Sequence, residues 1–270
     1  MGTYIRLTDC KTADEKRDGF SESKYRYVSN DSSFLKLPRS AYAYWLNDRV
    51  KAVFSDNEKL EDVGRLCLGM RTGDNNRFLR LWFEISFDRL GLNQEAREYA
   101  KWFPYNKGGE YRKWYGNMEY VVNWENDGEE IKANTRLVYP QLGDNLGWKI
   151  SNEDKYFSEG IAWSRISTTN FGVRYCPDNM IFDTAAPMIF PEDLCKIKYI
   201  LGFMCTKIAS TFLQVINPTI AFQVGDVAKL PIVFEEDETI EELVDENISI
   251  AKAEWDEFET SWDFRRHPLI

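Results

Sequence analysis

Short runs of aromatic and β-branched residues alternate with helix-like segments through the middle of the chain, and this alternation constrains the fold more than any other feature. The strand-like runs are separated by turn-favouring Asn, Gly, Asp and Pro residues, and they cover residues 77–85, 118–124, 161–168, 180–183 and 227–233. Residues 41–54 and 191–216 have helical spacing of their apolar residues instead. This arrangement predicts an α+β fold, a mixed twisted sheet with packed helices.

The longer helical segment has one apolar face. Its large apolar residues recur at spacings of three and four, and they are Leu194, Ile197, Leu201, Met204, Ile208, Phe212 and Val215. Proline is favoured in the first turn of a helix, so we expect one helix that begins at Pro191. Lys198 and Lys207 interrupt the apolar run, which is therefore too charged for a membrane span of about 20 residues. No membrane partner is expected.

The C-terminal region has an apolar stripe with a period of about 3.5 residues, typical of a helix packed along another surface. The stripe consists of Val244, Ile248, Ala251, Trp255, Phe258 and Trp262. Acidic residues occupy the other faces, so a long acidic C-terminal helix is expected. Two interpretations stay open for the acids: a solvated surface, or a strut that sets the spacing between two functional units.

The net charge of −10 is concentrated at the C-terminus, because residues 235–262 contain twelve acids and one base. Residues 64–116, in contrast, carry ten Lys and Arg residues against six acids. A weakly basic surface is therefore compatible with the low overall charge. Charge and pattern together divide the chain into a polar connector (1–40), a mixed body (41–234) and an acidic helical extension (235–270).

Catalytic signatures are missing from the sequence. It contains no glycine-rich nucleotide loop and no serine-hydrolase elbow. The single histidine, His267, lies three residues from the last residue, a poor position for a general base. The tripeptide Asn217-Pro218-Thr219 matches only the first two positions of the Asn-Pro-Pro-aromatic motif of amino-methyltransferases. We therefore expect no catalytic site, no metal and no cofactor in this chain.

The cysteines are odd in number and lack Cys-x-x-Cys spacing: Cys10, Cys67, Cys176, Cys195 and Cys205. This distribution argues against a disulfide framework and against a zinc site. Residues 1–6 contain no apolar leader sequence. A reducing cytoplasm is the expected location.

Two segments combine basic and aromatic residues as nucleic-acid interfaces do: residues 101–117 (KWFPYNKGGEYRKWYGN) and residues 69–80 (GMRTGDNNRFLR). The candidates for holding phosphates are Arg71, Arg77, Lys101, Lys107, Arg112 and Lys113. The candidates for stacking are Trp102, Trp114 and Tyr115. An ordinary tryptophan-rich core edge with solvated lysines accounts for the composition equally well.

Five stretches of the chain resemble the C-terminal half of the bacteriophage-exclusion (BREX) adenine-specific DNA methyltransferases of the PglX type, relatives of the type IIG restriction-modification enzymes. They are residues 72–84, 101–131, 160–175, 216–232 and 261–270, and their long words, such as WFPYNKGG and RKWYGN, are far more specific than a short motif. In that family an N-terminal domain binds S-adenosylmethionine and methylates adenine N6, and the C-terminal part recognises the DNA site. The cofactor glycines and the complete Asn-Pro-Pro-aromatic motif are missing here.

The resemblance implies a DNA target-recognition domain in residues 41–234, preceded by a connector from a missing catalytic half. Double-stranded DNA, that methyltransferase domain and other phage-defence proteins are the implied partners, and S-adenosylmethionine is expected only in the missing domain. In this setting the candidates for reading base edges are Arg165, Ser167, Thr168, Asn170 and Arg174. An ordinary strand with an exposed polar face is the alternative interpretation of that segment.

Two other classes of function stay open at this point. A carbohydrate-binding module would use Trp102, Trp114 and Tyr115 as a sugar platform, although basic residues lie between those rings. A protein-interaction platform within a defence complex would instead dock its acidic helix on a basic partner.

Overall fold

The strands of this computed structural model, which describes residues 1–235 and 237–270, divide into three sheets. Glu236, one of the acids counted in the C-terminal extension, therefore lies outside the described residues. In chain order the strands are β1 (Gly2–Ile5), β2 (Arg26–Ser29), β3 (Gly64–Cys67), β4 (Leu79–Leu81), β5 (Trp102–Asn106), β6 (Tyr120–Asn123), β7 (Gly160–Trp163), β8 (Val173–Cys176), β9 (Ile181–Phe182) and β10 (Met188–Pro191).

The sheets differ in size and direction. β1 and β2 form an antiparallel N-terminal pair. The second sheet has the order β3-β10-β7-β8 and is antiparallel throughout. The third has the order β4-β6-β5-β9, and its last pair is parallel, with Tyr105 opposite Ile181. The predicted α+β class is confirmed, although the strands belong to several sheets rather than one.

Short helices surround these sheets in the described part of the chain. They are α1 (Ala13–Gly19), α2 (Asp48–Asp56), α3 (Leu60–Val63), α4 (Asn75–Phe78), α5 (Glu125–Val138), α6 (Ile197–Met204), α7 (Lys207–Ile216), α8 (Val224–Val227) and α9 (Glu238–Asp256). Single 3₁₀ turns lie at Ser23–Tyr25, Asp31–Lys36, Pro38–Ser40, Trp82–Glu84, Phe87–Arg89, Ala96–Glu98, Pro140–Leu142, Leu146–Trp148, Glu153–Lys155 and Leu194–Lys196.

The strand predictions are confirmed unevenly. Residues 118–124, 161–168 and 180–183 each contain a strand, whereas residues 77–85 form only the three-residue β4 between α4 and a 3₁₀ turn. The strand predicted at 227–233 is wrong. Val227 ends α8, and the backbone N–H of Leu230 turns back to the Val227 carbonyl. Only Pro231 forms an isolated bridge, opposite Lys59.

The single helix predicted at 191–216 is also wrong. Pro191 ends strand β10, and the helical residues divide into α6 and α7, whose axes bend by 76°. The break occurs because Thr206 has extended backbone and its hydroxyl accepts the Ala209 N–H at 3.2 Å, which starts a new helix. Within the described residues no single helix is long and apolar enough to cross a membrane; only this bent pair together meets that length and composition.

Two large apolar cores lie side by side in the described part of the chain, and a small third cluster is formed by Leu90, Trp102 and Val121. One contains Tyr105, Trp124 and Phe182 of the third sheet and its surroundings. The other packs Trp163 of the second sheet against α6 and α7, including Leu201. The mixed sequence pattern therefore produces one body with two cores that share the second sheet.

The first 40 residues carry more structure than a connector needs. Leu37 is buried in the second core, and Phe34 is 2% exposed. The buried ammonium of Lys51 on α2 donates hydrogen bonds to the hydroxyls of Ser29 and Ser33 at 3.3 and 3.2 Å. This segment is therefore fastened to the body by polar and apolar contacts.

The C-terminal helix packs on the body of the same chain. α9 lies along α6, where Val244 is 3% exposed, and Trp255 is buried in the first core. An ion pair of 2.6 Å joins Lys198 to Asp245 across the two helices. The predicted apolar stripe is confirmed on the helix as far as Trp255, and Trp262 packs against the first core from beyond the helix. The helix ends at Asp256, and Phe258 is 44% exposed.

Candidate nucleic-acid interface

The two basic segments singled out in the sequence meet at one cleft. The loop cleft, as we call it, has a volume of about 570 Å³ and is lined by residues 71–76, Lys107, Asn134, Val138, Asp183 and Thr184. Gly69 lets the loop approach strand β9, because a Cβ atom there would lie 1.9 Å from the Phe182 carbonyl oxygen. The adjacent Met70 N–H donates to that same oxygen at 2.8 Å.

Asp183 organises the floor of the loop cleft. Its side chain accepts hydrogen bonds from the Tyr105 hydroxyl and the Ala185 backbone N–H at 2.8 and 2.7 Å, and it pairs with the ammonium of Lys107. Burial and the adjacent carboxylate raise the pKa of Tyr105, so its hydroxyl stays a donor. The Lys107 charge is therefore largely balanced inside the protein.

The rim of the loop cleft carries cations that no carboxylate balances. The Arg71 guanidinium lies 5.5 Å from the Trp148 ring, and the Lys149 ammonium lies 4.9 Å from it and 3.8 Å from the Tyr139 ring. Trp148 is 62% exposed. The backbone N–H of Arg71 donates to the Lys149 carbonyl at 2.8 Å. In the described part of the chain neither cation forms an ion pair. We call Arg71, Trp148 and Lys149 the cationic rim.

Of the other cations predicted to hold phosphates, most are already engaged. Arg77 pairs with Glu130 at 2.6 Å, Lys101 with Glu125 at 2.9 Å, and Arg112 with Glu254 at 2.5 Å. The Lys113 ammonium donates to the Cys205 carbonyl at 2.6 Å. Arg77, Lys101, Arg112 and Lys113 therefore have structural partners that a phosphate would have to replace.

The structure places most of the predicted stacking residues in the interior. Trp102 and Tyr115 are each 8% exposed and belong to core clusters, and burial raises the pKa of Tyr115 to about 12. Trp114 is half-buried against the second core, and its backbone N–H donates to the Val173 carbonyl at 2.8 Å. Segment 101–117 is thus chiefly a structural bridge between two sheets.

The predicted base-reading residues separate into two groups. Arg174 is 1% exposed; it donates to the Ser164 hydroxyl at 3.1 Å, and burial lowers its pKa to about 10. Its side chain cannot reach a base in this structure. Thr168 and Asn170, by contrast, lie on an exposed loop, and Arg165 and Ser167 are half-buried.

This exposed loop borders a second concavity, which we call the polar groove. It has a volume of about 810 Å³ and is lined by Arg6, Thr8, Phe222 and residues 41–45, 167–171, 210–211 and 214–220. Most of its polar lining consists of hydroxyl and amide side chains. Arg6 is the only charged residue among the residues that line it.

One extended segment connects the loop cleft to the polar groove. The backbone N–H of Arg165 donates to the Ala185 carbonyl at 3.0 Å, next to the cleft residue Thr184. Two residues later, the Ser167 N–H donates to the Ile220 carbonyl at 3.1 Å, within the groove. The cleft and the groove therefore lie at the two ends of one short segment, with Arg165 at the cleft end and Ser167 at the groove end.

Several residues of this surface that are exposed or half-buried were missed by the sequence reasoning. They are Trp148 and Lys149 on the cationic rim, and Tyr42, Trp45 and Gln214 in the polar groove. The sequence did contain a signal for Trp148 and Lys149. They follow a turn-forming stretch, residues 143–147 (GDNLG), which predicts a surface loop. The others depend on how the N-terminal segment folds back onto α7.

The described residues hold no cluster of three or more His, Cys, Asp and Glu side chains arranged for a metal ion. All five cysteines are free, and Cys195 is the exposed one. Burial raises the pKa of both Cys176 and Cys205 to about 12, so these thiols stay protonated and unreactive near neutral pH.

Comparison with curated proteins relates the whole chain to two adenine-specific methyltransferases. It is 33% identical over 281 residues to adenine-specific methyltransferase PglX of Lacticaseibacillus casei (strain Zhang). This alignment covers 100% of this chain and 23% of that protein. It is 36% identical over 274 residues to adenine-specific methyltransferase BrxX of Escherichia coli O9:H4 (strain HS). This second alignment covers 99% of this chain and 21% of that protein. The chain belongs to the PglX and BrxX family. It spans little more than a fifth of the length of these relatives, and no family model matches it.

Proposed function

We propose that this chain is the sequence-specific DNA recognition module of an N6-adenine DNA methyltransferase that acts in phage defence. The observation that carries the proposal is the cationic rim, where two cations without carboxylate partners flank an exposed tryptophan beside the loop cleft. Membership of the PglX and BrxX family supports it. S-adenosylmethionine and the methyl transfer belong to the remainder of the enzyme, and the proposed location is the cytoplasm.

The surface supports a division of roles. Arg71 and Lys149 have charge available for phosphates, which position a protein on DNA without reading its sequence. Residues Arg165, Ser167, Thr168 and Asn170 supply the guanidinium, hydroxyl and amide groups that read base edges. Arg174 has no place in this proposal because its side chain is enclosed.

Replacing Arg71 or Lys149 with alanine is expected to weaken binding about equally on all DNA sequences. Each lost phosphate contact lowers the slope of log affinity against log salt by about 0.9. Binding to duplex DNA is measured by fluorescence anisotropy across a salt series. Lys16→Ala, an exposed lysine of α1 far along the chain from the rim, is the matched control and should leave the slope unchanged.

Replacing Asn170 with alanine should behave differently, costing roughly 1–3 kcal/mol on the preferred site and little on random DNA. In the complete methyltransferase, methylation-sensitive sequencing would then detect a relaxed position in the methylated motif. Parallel loss on every sequence would contradict a reading role for this loop. Absence of salt-dependent DNA binding by the unaltered protein would contradict the proposed function itself.

The chain alone is expected to bind no S-adenosylmethionine and to methylate no DNA, because its sequence has neither a glycine-rich cofactor loop nor a complete adenine-pocket motif. Titration calorimetry with the cofactor measures this directly. Micromolar binding would show that a cofactor site exists in these 270 residues.

A protein-interaction role has one specific observation in its favour. The outer face of α9 exposes acids on a helix that is fixed to the body, and these are Glu241, Glu242 and Glu246. A basic partner in a defence complex would suit this face. The carbohydrate-binding alternative loses its basis, because Trp102 and Tyr115 are buried and cannot form a sugar platform.

A further inference from the structure

The polar groove differs from a phosphate-binding surface in its charge. Among the described residues, Arg6 is the one charged residue of its lining and no carboxylate lines it. Its volume of about 810 Å³ falls within the range of small-ligand pockets, roughly 300–1,000 Å³. A neutral ligand with hydrogen-bonding edges therefore suits the groove better than a backbone phosphate does.

Aromatic side chains of the N-terminal segment form one wall of the groove. Tyr42 is 70% exposed, and its ring is held in place by Phe34, with 5.2 Å between ring centroids. Trp45 is 37% exposed, and the Arg6 guanidinium lies 4.1 Å from its ring centroid. Exposed rings and guanidinium planes are the groups on which unstacked bases rest in nucleic-acid complexes.

Residues 168, 170 and 214 add hydrogen-bonding groups to the lining of the groove. Thr168, Asn170 and Gln214 are exposed, and in the described structure their side chains form no hydrogen bond within the protein. The amide of Asn217, by contrast, is engaged by the Ala221 carbonyl and by Asp226 at 3.2 and 2.6 Å. Two amide side chains thus remain available for the donor and acceptor pattern of a base edge.

We propose that the polar groove holds one unstacked nucleobase, which rests on Tyr42 and is read by Asn170 and Gln214. The inference rests on the proposed function, because DNA supplies the base. It extends that function by making the N-terminal segment part of the recognition surface. The groove is thus a site contributed by residues far apart in the sequence.

The direct test uses free deoxynucleosides at millimolar concentration and ligand-observed NMR with the whole chain. At least one of the four is expected to bind, and Tyr42→Ala or Gln214→Ala is expected to remove the signal. Tyr42 and Gln214 are both exposed, so these substitutions leave the core intact. Tyr99→Ala and Gln141→Ala change equally exposed residues outside the groove and serve as matched controls.

The inference is overturned if no deoxynucleoside binds, if free sugars bind equally well, or if the groove variants bind as the unaltered protein does. The same conclusion follows if the control variants lose the signal to the same extent. This test involves no duplex DNA, so it decides the groove's role independently of the proposed function.

A second test uses two duplexes of identical sequence, one fully paired and one with a single bulged base. A bulged base is already partly unstacked and enters a pocket at lower cost. The unaltered chain is expected to prefer the bulged duplex about tenfold, and Tyr42→Ala to remove the preference. Absence of a preference, or a preference that survives in Tyr42→Ala and Gln214→Ala, contradicts the groove assignment. Absence of binding to either duplex contradicts the proposed function.

Discussion

Replacing Trp255 with alanine is expected to destabilise the protein by about 3–5 kcal/mol, the usual cost of emptying a large aromatic site in a core. Trp255 is 6% exposed in the first core, and the Arg112 guanidinium lies 4.9 Å from its ring centroid. Gly116 also packs closely, since a Cβ atom there would lie 3.0 Å from the Trp255 ring. Thermal unfolding should show a melting temperature lower by roughly 10 °C.

Phe258→Ala provides the matched control three residues later. Phe258 lies beyond the end of α9 and is 44% exposed, so its loss should change stability by less than about 1 kcal/mol. Deleting residues 239–270 should have a larger effect than Trp255→Ala, because it uncovers the α6 surface that Val244 covers, and loss of solubility is expected. If Trp255→Ala and the deletion both melt at the temperature of the unaltered protein, the acidic helix does not stabilise the body.

Replacing Gly69 with alanine is expected to cost about 3 kcal/mol, a large effect for the addition of one methyl group. The new Cβ atom would lie 1.9 Å from the Phe182 carbonyl oxygen and 2.3 Å from its carbon, so the backbone has to move. That movement would disturb the hydrogen bonds of Met70 with the Phe182 carbonyl at 2.8 Å and with the Tyr105 hydroxyl at 3.2 Å. Chemical denaturation measures the loss.

Gly225→Ala is the control for this substitution. In the described structure a Cβ atom at Gly225 would meet nothing within 4 Å, and the residue lies in helix α8, where alanine is favoured over glycine. Stability should therefore stay unchanged or rise by up to about 1 kcal/mol. If Gly69→Ala behaves like Gly225→Ala, the loop does not approach β9 as closely as described, and the floor of the loop cleft has to be revised.

The acidic tail and the proposed DNA surface are compatible because the negative charge is local. Glu254 of α9 is paired with Arg112 at 2.5 Å, and Asp245 with Lys198 at 2.6 Å. Neither residue lines the loop cleft or the polar groove. The net charge of −10 therefore does not by itself exclude a basic surface at the cationic rim.

The sequence alone determined those features that depend on local periodicity. The α+β class follows from strand-like and helical patterns that alternate, and the apolar stripe of α9 is correct as far as Trp255 because neighbouring turns of a helix share a face. The family was also recognisable from long characteristic stretches of sequence, such as WFPYNKGG. Local patterns predict which face of an element is apolar, but they do not predict which element covers it.

Tertiary structure decided which residues reach the surface. Arg174, Trp102 and Tyr115 have residue types suited to DNA, yet distant segments pack over them, and their side chains are enclosed. The loop cleft unites residues 71–76, 107 and 183–184, and the polar groove unites the N-terminal segment with residue 214. Such contacts depend on which segments pack together in three dimensions. No short-range sequence pattern predicts which segments pack together, because those contacts arise only when the two cores form.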